Sequence, residues 1–284
     1  MSPNLRKRLA VAGVGVPVCA LITYAGGFVF VAGLGAAAAL GYREFAGMMR
    51  GTGTRVLTLP GVVAAFLFPL IVFSGGLEGG GFYAAGLMLG LPALAIAAVD
   101  LPERPIRAAA CTAFGVFYVG GLLSLGVPLR EGGLMSPAGG DANTVRMAGT
   151  LLFFFPVVIT WLADTAAYLG GRAFGKRPLA PRVSPNKTVA GGVCALLTGL
   201  AVAVLYPRFL LAEVWSLDPV RTLAFGLVVA GLAIVGDLAE SALKRECGVK
   251  DSSGLLPGHG GMLDRLDSVL WALPAAFLFL LLFA

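Results

Sequence analysis

The 284-residue sequence is 58% hydrophobic and only 13% charged, well below the roughly 25% charge of a soluble domain, which excludes an ordinary soluble enzyme. Its net charge of +6 does not by itself call for nucleic acid, because membrane proteins concentrate Lys and Arg in cytoplasmic loops. The apolar residues come in runs long enough to cross a bilayer, about 17–25 residues each.

Lipid offers the backbone no hydrogen-bond partners, so the fold class expected is all-α, a polytopic integral membrane protein. The N-terminal Arg6-Lys7-Arg8 followed by an apolar run resembles a signal peptide, but Val18 before Cys19 does not suit a lipoprotein-type cut, and an uncleaved first span is expected. About nine spans can be drawn: 9–25, 27–41, 56–74, 82–99, 106–127, 147–169, 188–206, 220–240 and 266–284. The first two are joined by Tyr24-Ala25-Gly26-Gly27 and suggest a tight hairpin, with Gly26, Gly33 and Gly41 giving small faces for close helix packing. Cys19, Cys111, Cys194 and Cys247 lie far apart, without zinc or disulfide spacing, and read as small packed side chains.

With a cytoplasmic N-terminus and alternating sides, only Arg130, Arg146, Arg208 and Arg221 of the 21 Lys and Arg fall outside. That asymmetry fixes the expected orientation. The chain is expected to divide into N-terminal spans, 1–146, and a C-terminal region, 147–284, and the asymmetry places the long polar loops of the latter, 170–187 and 241–265, on the cytoplasmic side. Segments 128–146 and 207–219 read as solvated connectors.

Two acids stand where lipid-facing helices have none: Asp164 in ITWLADTAAYLGG and Asp237 in VGDLAESALKR. Each is a candidate site residue unless it snorkels to the interface or pairs with a loop arginine. At helical spacing Asp237, Ser241 and Lys244 share a face, as do Asp264, Asp267 and Ser268. Carboxylates with a serine hydroxyl suit Mg²⁺, a hard ion that completes its shell with phosphate and water. Lys244, Arg245, Lys250 and Arg265 would neutralise phosphate oxygens, so the stretch 241–267 reads as a site for a polyphosphate ester. It holds the only histidine, His259, bracketed by Gly258, Gly260 and Gly261, where backbone N–H groups can point at a ligand.

The other loop, GGRAFGKRPLAPRVSPNKTVAG, has no acid between Arg172 and Lys187. Beside the membrane surface it suits anionic lipid headgroups, with a plain positive-inside anchor as the rival reading. Gly170 to Lys176 spells a phosphate-loop pattern, but Arg177 stands where the Ser or Thr belongs and a membrane helix precedes it, so that match is rejected.

Ser241-x-Leu243-Lys244-Arg245-x4-Lys250-Asp251-x-Ser253-x2-Leu256-Pro257-x-His259-Gly260-Gly261-Met262-x-Asp264-Arg265-Leu266-Asp267 resembles the signature of phosphatidate cytidylyltransferases, the CDP-diacylglycerol synthases. Asp164-Thr165-x-Ala167-Tyr168, Gly171-Arg172-x-Phe174-Gly175 and Ser184-Pro185-x-Lys187-Thr188 are similar to the family's other blocks. The resemblance covers residues 160–270. One departure is Ala190, where the family usually has a glutamate.

The resemblance implies transfer of the cytidylyl group of CTP to phosphatidate with release of pyrophosphate. It implies Mg²⁺, with a second cation in the same site as a further expectation, held by Asp237 and Asp264, with Asp164 a third candidate. Lys244, Arg245, Lys250 and Arg265 are assigned to phosphates; Asp251, His259 and Asp267 to orienting or closing the site. Arg172, Ser184, Lys187, Thr188 and Ser241 are assigned to substrate. His259 is read as a hydrogen-bond donor rather than a general base, since phosphatidate is already largely ionised. The expected partners are CTP, phosphatidate from the bilayer and anionic lipids, with no nucleic acid and a homodimer left open. The expected location is the inner membrane, with the active site on the cytoplasmic side. A CTP- or ATP-dependent polyprenol kinase and a membrane transporter are the alternatives.

Overall fold

The computed structural model describes residues 3–135, 140–255 and 260–284, with side chains from Gly13 onward. Among these, seven helices are long and apolar enough to span a membrane: Gly27–Gly51, Thr58–Ala98, Pro105–Glu131, Ala142–Phe174, Val189–Leu210, Pro219–Glu246 and Leu263–Phe283. The protein is an all-α, multi-pass membrane protein. It falls into two compact units that are discontinuous in sequence: Met1–Val127 with Lys244–Leu266, and Pro128–Leu243 with Asp267–Ala284.

In the first unit α1 (Pro3–Ala25) and α2 (Gly27–Gly51) meet at Gly26 and Gly27, with φ of 66° and 53°. Only glycine adopts that backbone freely. A Cβ on Gly33 would lie 2.9 Å from Ile22, so the two helices fold back on each other as the sequence suggested.

Helix α3 (Thr58–Ala98) is 41 residues long but contains Gly76 at φ 61°, ψ −160°. Tyr83 donates to the Ala64 carbonyl at 3.1 Å, and the Phe68 and Tyr83 rings meet edge-on at 5.3 Å. An unbroken helix would hold residues 64 and 83 about 28 Å apart at 1.5 Å per residue. The chain therefore reverses at Gly76, and the apolar runs 56–74 and 82–99 form the two arms of one helical hairpin. The seven long helices thus differ from the nine spans drawn on the sequence in two places: here, and at α1, whose described apolar part, Gly13–Ala25, is short.

Helix α4 (Pro105–Glu131) carries a π-helical stretch at Val116–Gly121. Around it Tyr42 donates to the Leu57 carbonyl at 3.2 Å, and Thr112 accepts from the Leu57 amide at 2.9 Å. Gly61 sits where a Cβ would come within 2.0 Å of the Tyr42 ring. That glycine lets α3 reach α2.

The second unit begins with α5 (Ala142–Phe174), capped by Asp141, which accepts from the Thr144 amide at 2.8 Å. A short antiparallel hairpin follows, β1 (Pro178–Ala180) and β2 (Ser184–Thr188), pairing Pro178 with Thr188 and Ala180 with Ser184. This small sheet occupies the expected loop 170–187. Helix α6 (Val189–Leu210) starts on Thr188, and α7 (Pro219–Glu246) and α9 (Val269–Phe283) complete the unit. The four-residue α8 (Leu263–Leu266) belongs to the first unit.

Phe155 anchors the second core, stacked on Tyr206 at 4.7 Å and on Phe225 at 4.9 Å. Helices α6 and α7 cross on small residues: a Cβ on Gly199 would lie 2.4 Å from Ala230, and one on Gly226 2.4 Å from Ala203. At Gly236 a Cβ would come within 2.7 Å of the Asp267 carbonyl and 2.6 Å of Trp271. Gly236→Val should therefore push α9 off α7, at a cost of about 1–3 kcal/mol for overpacking. The measurement is the thermal midpoint of the detergent-solubilised protein, and an unchanged midpoint contradicts this packing.

Candidate active site

In the second unit, a cavity of about 690 Å³ opens between the C-terminal half of α5, the β-hairpin, the start of α6 and the middle of α7. Six of the residues singled out in the sequence line it: Asp164, Arg172, Ser184, Lys187, Thr188 and Asp237. Local structure places each of them. Thr188 is the N-cap of α6 and accepts from the Gly191 amide at 3.1 Å. Helices α5 and α6 approach backbone to backbone there, since a Cβ on Gly191 would lie 2.6 Å from the Ala167 carbonyl and one on Gly171 2.9 Å from Thr188 Oγ1. Antiparallel pairing then carries Ser184 and Lys187 on β2 to the same wall.

Lys187 forms an ion pair with Asp237, both side chains about a quarter exposed. Asp237 is thus paired with a cation rather than facing lipid. The cavity combines two acids, two cations, three hydroxyl-bearing residues (Tyr168, Ser184 and Thr188) and the Asn186 amide. Among the described residues no three His, Cys, Asp or Glu side chains cluster as a self-sufficient metal site. Asp164 and Asp237 with Ser184 and Thr188 offer hard oxygen donors. They fit Mg²⁺, which needs only one or two carboxylates and takes the rest of its shell from phosphate and water.

The first unit contains the loop after α7, and two buried carboxylates organise it. Asp264 accepts from Lys244 Nζ at 2.7 Å, from the Ser252 amide and hydroxyl at 2.9 and 3.0 Å, and from the Gly261 amide at 2.8 Å. Glu44, on α2 and only 8% exposed, accepts from the Ser253 hydroxyl at 2.7 Å, from the Met262 and Leu263 amides at 2.9 and 2.8 Å and, at 2.8 Å, from the Ser252 hydroxyl, whose single proton it shares with Asp264. Of the glycine amides expected to meet a ligand, that of Gly261 therefore meets the protein's own Asp264 carboxylate.

The same crowding explains the glycines. A Cβ on Gly260 would lie 2.6 Å from Asp264 Oδ2, and one on Gly261 would lie 2.1 Å from the Ser252 hydroxyl and 2.3 Å from Glu44 Oε2. Gly260 also takes φ 77°. No side chain fits at either position.

The remaining candidates are dispersed. Arg245 donates to the Val249 carbonyl at 3.0 Å, closing the end of α7. Lys250, Asp251 and Arg265 are exposed on the first unit. Ser241 and Asp267 belong to the second unit without lining its cavity, and the Asp267 carboxylate accepts from the Ser268 amide at 2.6 Å. His259 lies outside the described residues. Glu44 was not picked out in the sequence, because it sits beside Arg43 near the end of α2 and reads there as an interfacial charge.

Comparison with known proteins gives these arrangements a context. The model of the cytidylyltransferase family matches residues 6–283. Phosphatidate cytidylyltransferase 4, chloroplastic, of Arabidopsis thaliana is 33% identical over 98% of this chain and 73% of its own length. The phosphatidate cytidylyltransferases of Haemophilus influenzae and Bacillus subtilis are 43% and 40% identical over 44% and 51% of this chain, covering 44% and 52% of their own lengths. A family match over almost the whole chain, together with a cavity that collects the motif residues of α5, β2 and α7, makes this chain a member of the phosphatidate cytidylyltransferase family.

Proposed function

We infer that the protein is a nucleotidyltransferase, a phosphatidate cytidylyltransferase, which converts CTP and phosphatidate to CDP-diacylglycerol and pyrophosphate. The observation that carries this reading is the cavity of the second unit, where two carboxylates and two cations share a wall with hydroxyl and amide groups. A phosphate oxygen of phosphatidate attacks the α-phosphorus of CTP. A new P–O–P linkage forms, the bond from the α-phosphorus to the bridging oxygen breaks, and pyrophosphate leaves with the electron pair.

The chain's task is to hold two anions together and neutralise charge as the bond breaks, which is where catalysis of such transfers chiefly lies. Arg172 and Lys187 supply positive charge in the cavity, and the Ser184 and Thr188 hydroxyls donate to phosphate oxygens. The proposed Mg²⁺ carboxylates are Asp237 and Asp264, with Asp164 a third candidate and a second cation an extension of the same proposal. Asp237 and Asp264 each hold a lysine ammonium, Lys187 and Lys244, so each is already a seat for positive charge. When bound, Mg²⁺ would screen the triphosphate and favour departure of pyrophosphate.

Substrate with two acyl chains is proposed to enter sideways from the bilayer, since leaving it costs about 0.8 kcal/mol per CH₂. The proposed setting is the inner membrane with the cavity on the cytoplasmic side. Anionic lipids, and a homodimer, are proposed as further partners.

The test is purified protein with labelled CTP, phosphatidate and Mg²⁺. Release of pyrophosphate with labelled CDP-diacylglycerol supports the reading, whereas release of CDP with a phosphorylated lipid identifies a kinase instead. Arg172→Ala should raise KM for one of the two substrates about tenfold and change kcat less, as expected for loss of a charge-assisted phosphate contact. Unchanged KM for both removes Arg172 from the site.

A further inference from the structure

A second polar cavity lies in the first unit, and no motif residue lines it. Its volume is about 600 Å³, and Arg50, Thr54, Arg55 and Glu103 help to line it. An adjoining cavity of about 290 Å³ shares Thr54, Arg55 and Glu103 and adds Arg104 and Arg107. Four arginines thus converge on one region with a single glutamate between them.

The partners are unevenly distributed. Arg55 pairs with Glu103, and Arg107 donates to Thr54 Oγ1 at 3.2 Å. Among the described residues Arg50 and Arg104 have no ion pair, so the region keeps unneutralised positive charge. Arg104 is the only described non-glycine residue with positive φ, at φ 57° and ψ 72°. That backbone is unfavourable for a residue with a Cβ, and it places the guanidinium-bearing residue at the cavity wall, immediately before Pro105.

Position narrows the choice of ligand. The cavity is built from the C-terminal end of α2, the N-terminal end of α3 and the turn leading into α4. Ends of membrane-spanning helices lie at headgroup depth. Large apolar side chains flank the arginines and point outward: Leu59 is 73% exposed, Leu101 84% and Ile106 58%. A free soluble phosphate would have no use for that rim, whereas a lipid presents a phosphate beside acyl chains.

We propose that the arginine cavity between the α2–α3 turn and the start of α4 is a binding site for an anionic phospholipid. The phosphate sits among Arg50, Arg55, Arg104 and Arg107, and the acyl chains run along Leu59, Leu101 and Ile106. Guanidinium pairs hold phosphate oxygens in bidentate fashion. This site shares no lining residue with the cavity assigned to catalysis, and its test stands independently of that assignment.

The experiment uses the full chain in phosphatidylcholine nanodiscs containing phosphatidylglycerol. Protein is then extracted into neutral detergent and the retained lipid is read by native mass spectrometry. Wild type should retain phosphatidylglycerol over phosphatidylcholine, and Arg50→Gln/Arg104→Gln should retain at least about tenfold less while CTP turnover persists. Arg208→Gln/Arg221→Gln, with the same charge loss elsewhere, should retain as much as wild type. Equal retention by all three overturns the proposal. So does binding of inorganic phosphate in pure phosphatidylcholine discs that phosphatidylglycerol fails to displace, because the site would then read free phosphate. Should the arginine variant fail to fold, p-benzoyl-phenylalanine placed at Leu101 probes the same site with the arginines intact. Preferential photocapture of phosphatidylglycerol supports the lipid site, and equal capture of both lipids defeats it.

Discussion

Asp237→Asn should lower kcat at least about 100-fold without raising KM for CTP. The substitution is isosteric, so α7 keeps its helix and its packing on α6. What it removes is the negative partner of Lys187 in the cavity. The cavity then becomes more positive, and a triphosphate binds it no worse. Ground-state attraction survives, while the carboxylate that would seat the metal during transfer is gone, and losses from weakening such a ligand start at about 10–100-fold even for its outer partners. Lys187→Ala should do the reverse, raising KM for CTP more than it lowers kcat, because it takes positive charge from the same wall. Binding of Mn²⁺ followed by electron paramagnetic resonance gives a readout apart from turnover: Asp237→Asn should weaken it. If Asp237→Asn retains kcat within about threefold, Asp237 is not part of the chemistry.

The residues of this cavity were legible in the sequence because carboxylates and cations are rare and costly in apolar surroundings. Asp164 and Asp237 announce themselves by where they stand, and Arg172, Ser184, Lys187 and Thr188 by lying in family blocks. Their convergence had no such signal, since it depends on the backbone-to-backbone approach of α5 and α6 at Gly171 and Gly191 and on a β-hairpin hidden in a segment that reads as a basic loop. The hairpin of α3 was legible as two apolar runs, but the reversal itself rests on the single left-handed backbone at Gly76. The loop 241–267 was read as a ligand cradle from its glycines and acids. Its glycines are there, at positions 260 and 261, because the protein's own carboxylates leave no room for a side chain. No local spacing links that loop to Glu44, which lies 208 residues before Ser252.

Glu44→Ala should lower activity at least about 100-fold, and Glu44→Gln should be nearly as damaging. Each carboxylate oxygen accepts two hydrogen bonds: Oε1 from Ser253 Oγ and the Met262 amide, Oε2 from Ser252 Oγ and the Leu263 amide. A glutamine of the same shape keeps one accepting oxygen and turns its amide nitrogen toward one serine hydroxyl, which can rotate to accept, and one backbone N–H, which cannot, so one of the four bonds becomes a donor-to-donor contact. Loss of a hydrogen bond to a charged group costs about 1.5–3 kcal/mol, and the bonds that remain no longer end on a charged acceptor, a deficit that a loop of exposed residues such as Lys250, Asp251 and Arg265 cannot recover elsewhere. Were Glu44 only filling space at the end of α2, glutamine would restore activity fully. The loop's release can be read directly: limited trypsin cleavage within residues 244–265 should quicken in both variants, while the detergent-solubilised protein stays monodisperse. Asp264 would still hold Lys244 and the Gly261 amide in these variants, so the loop should loosen at Ser253, Met262 and Leu263 first. Full activity in Glu44→Gln, or unchanged cleavage in both variants, would mean that the loop's conformation does not depend on this carboxylate.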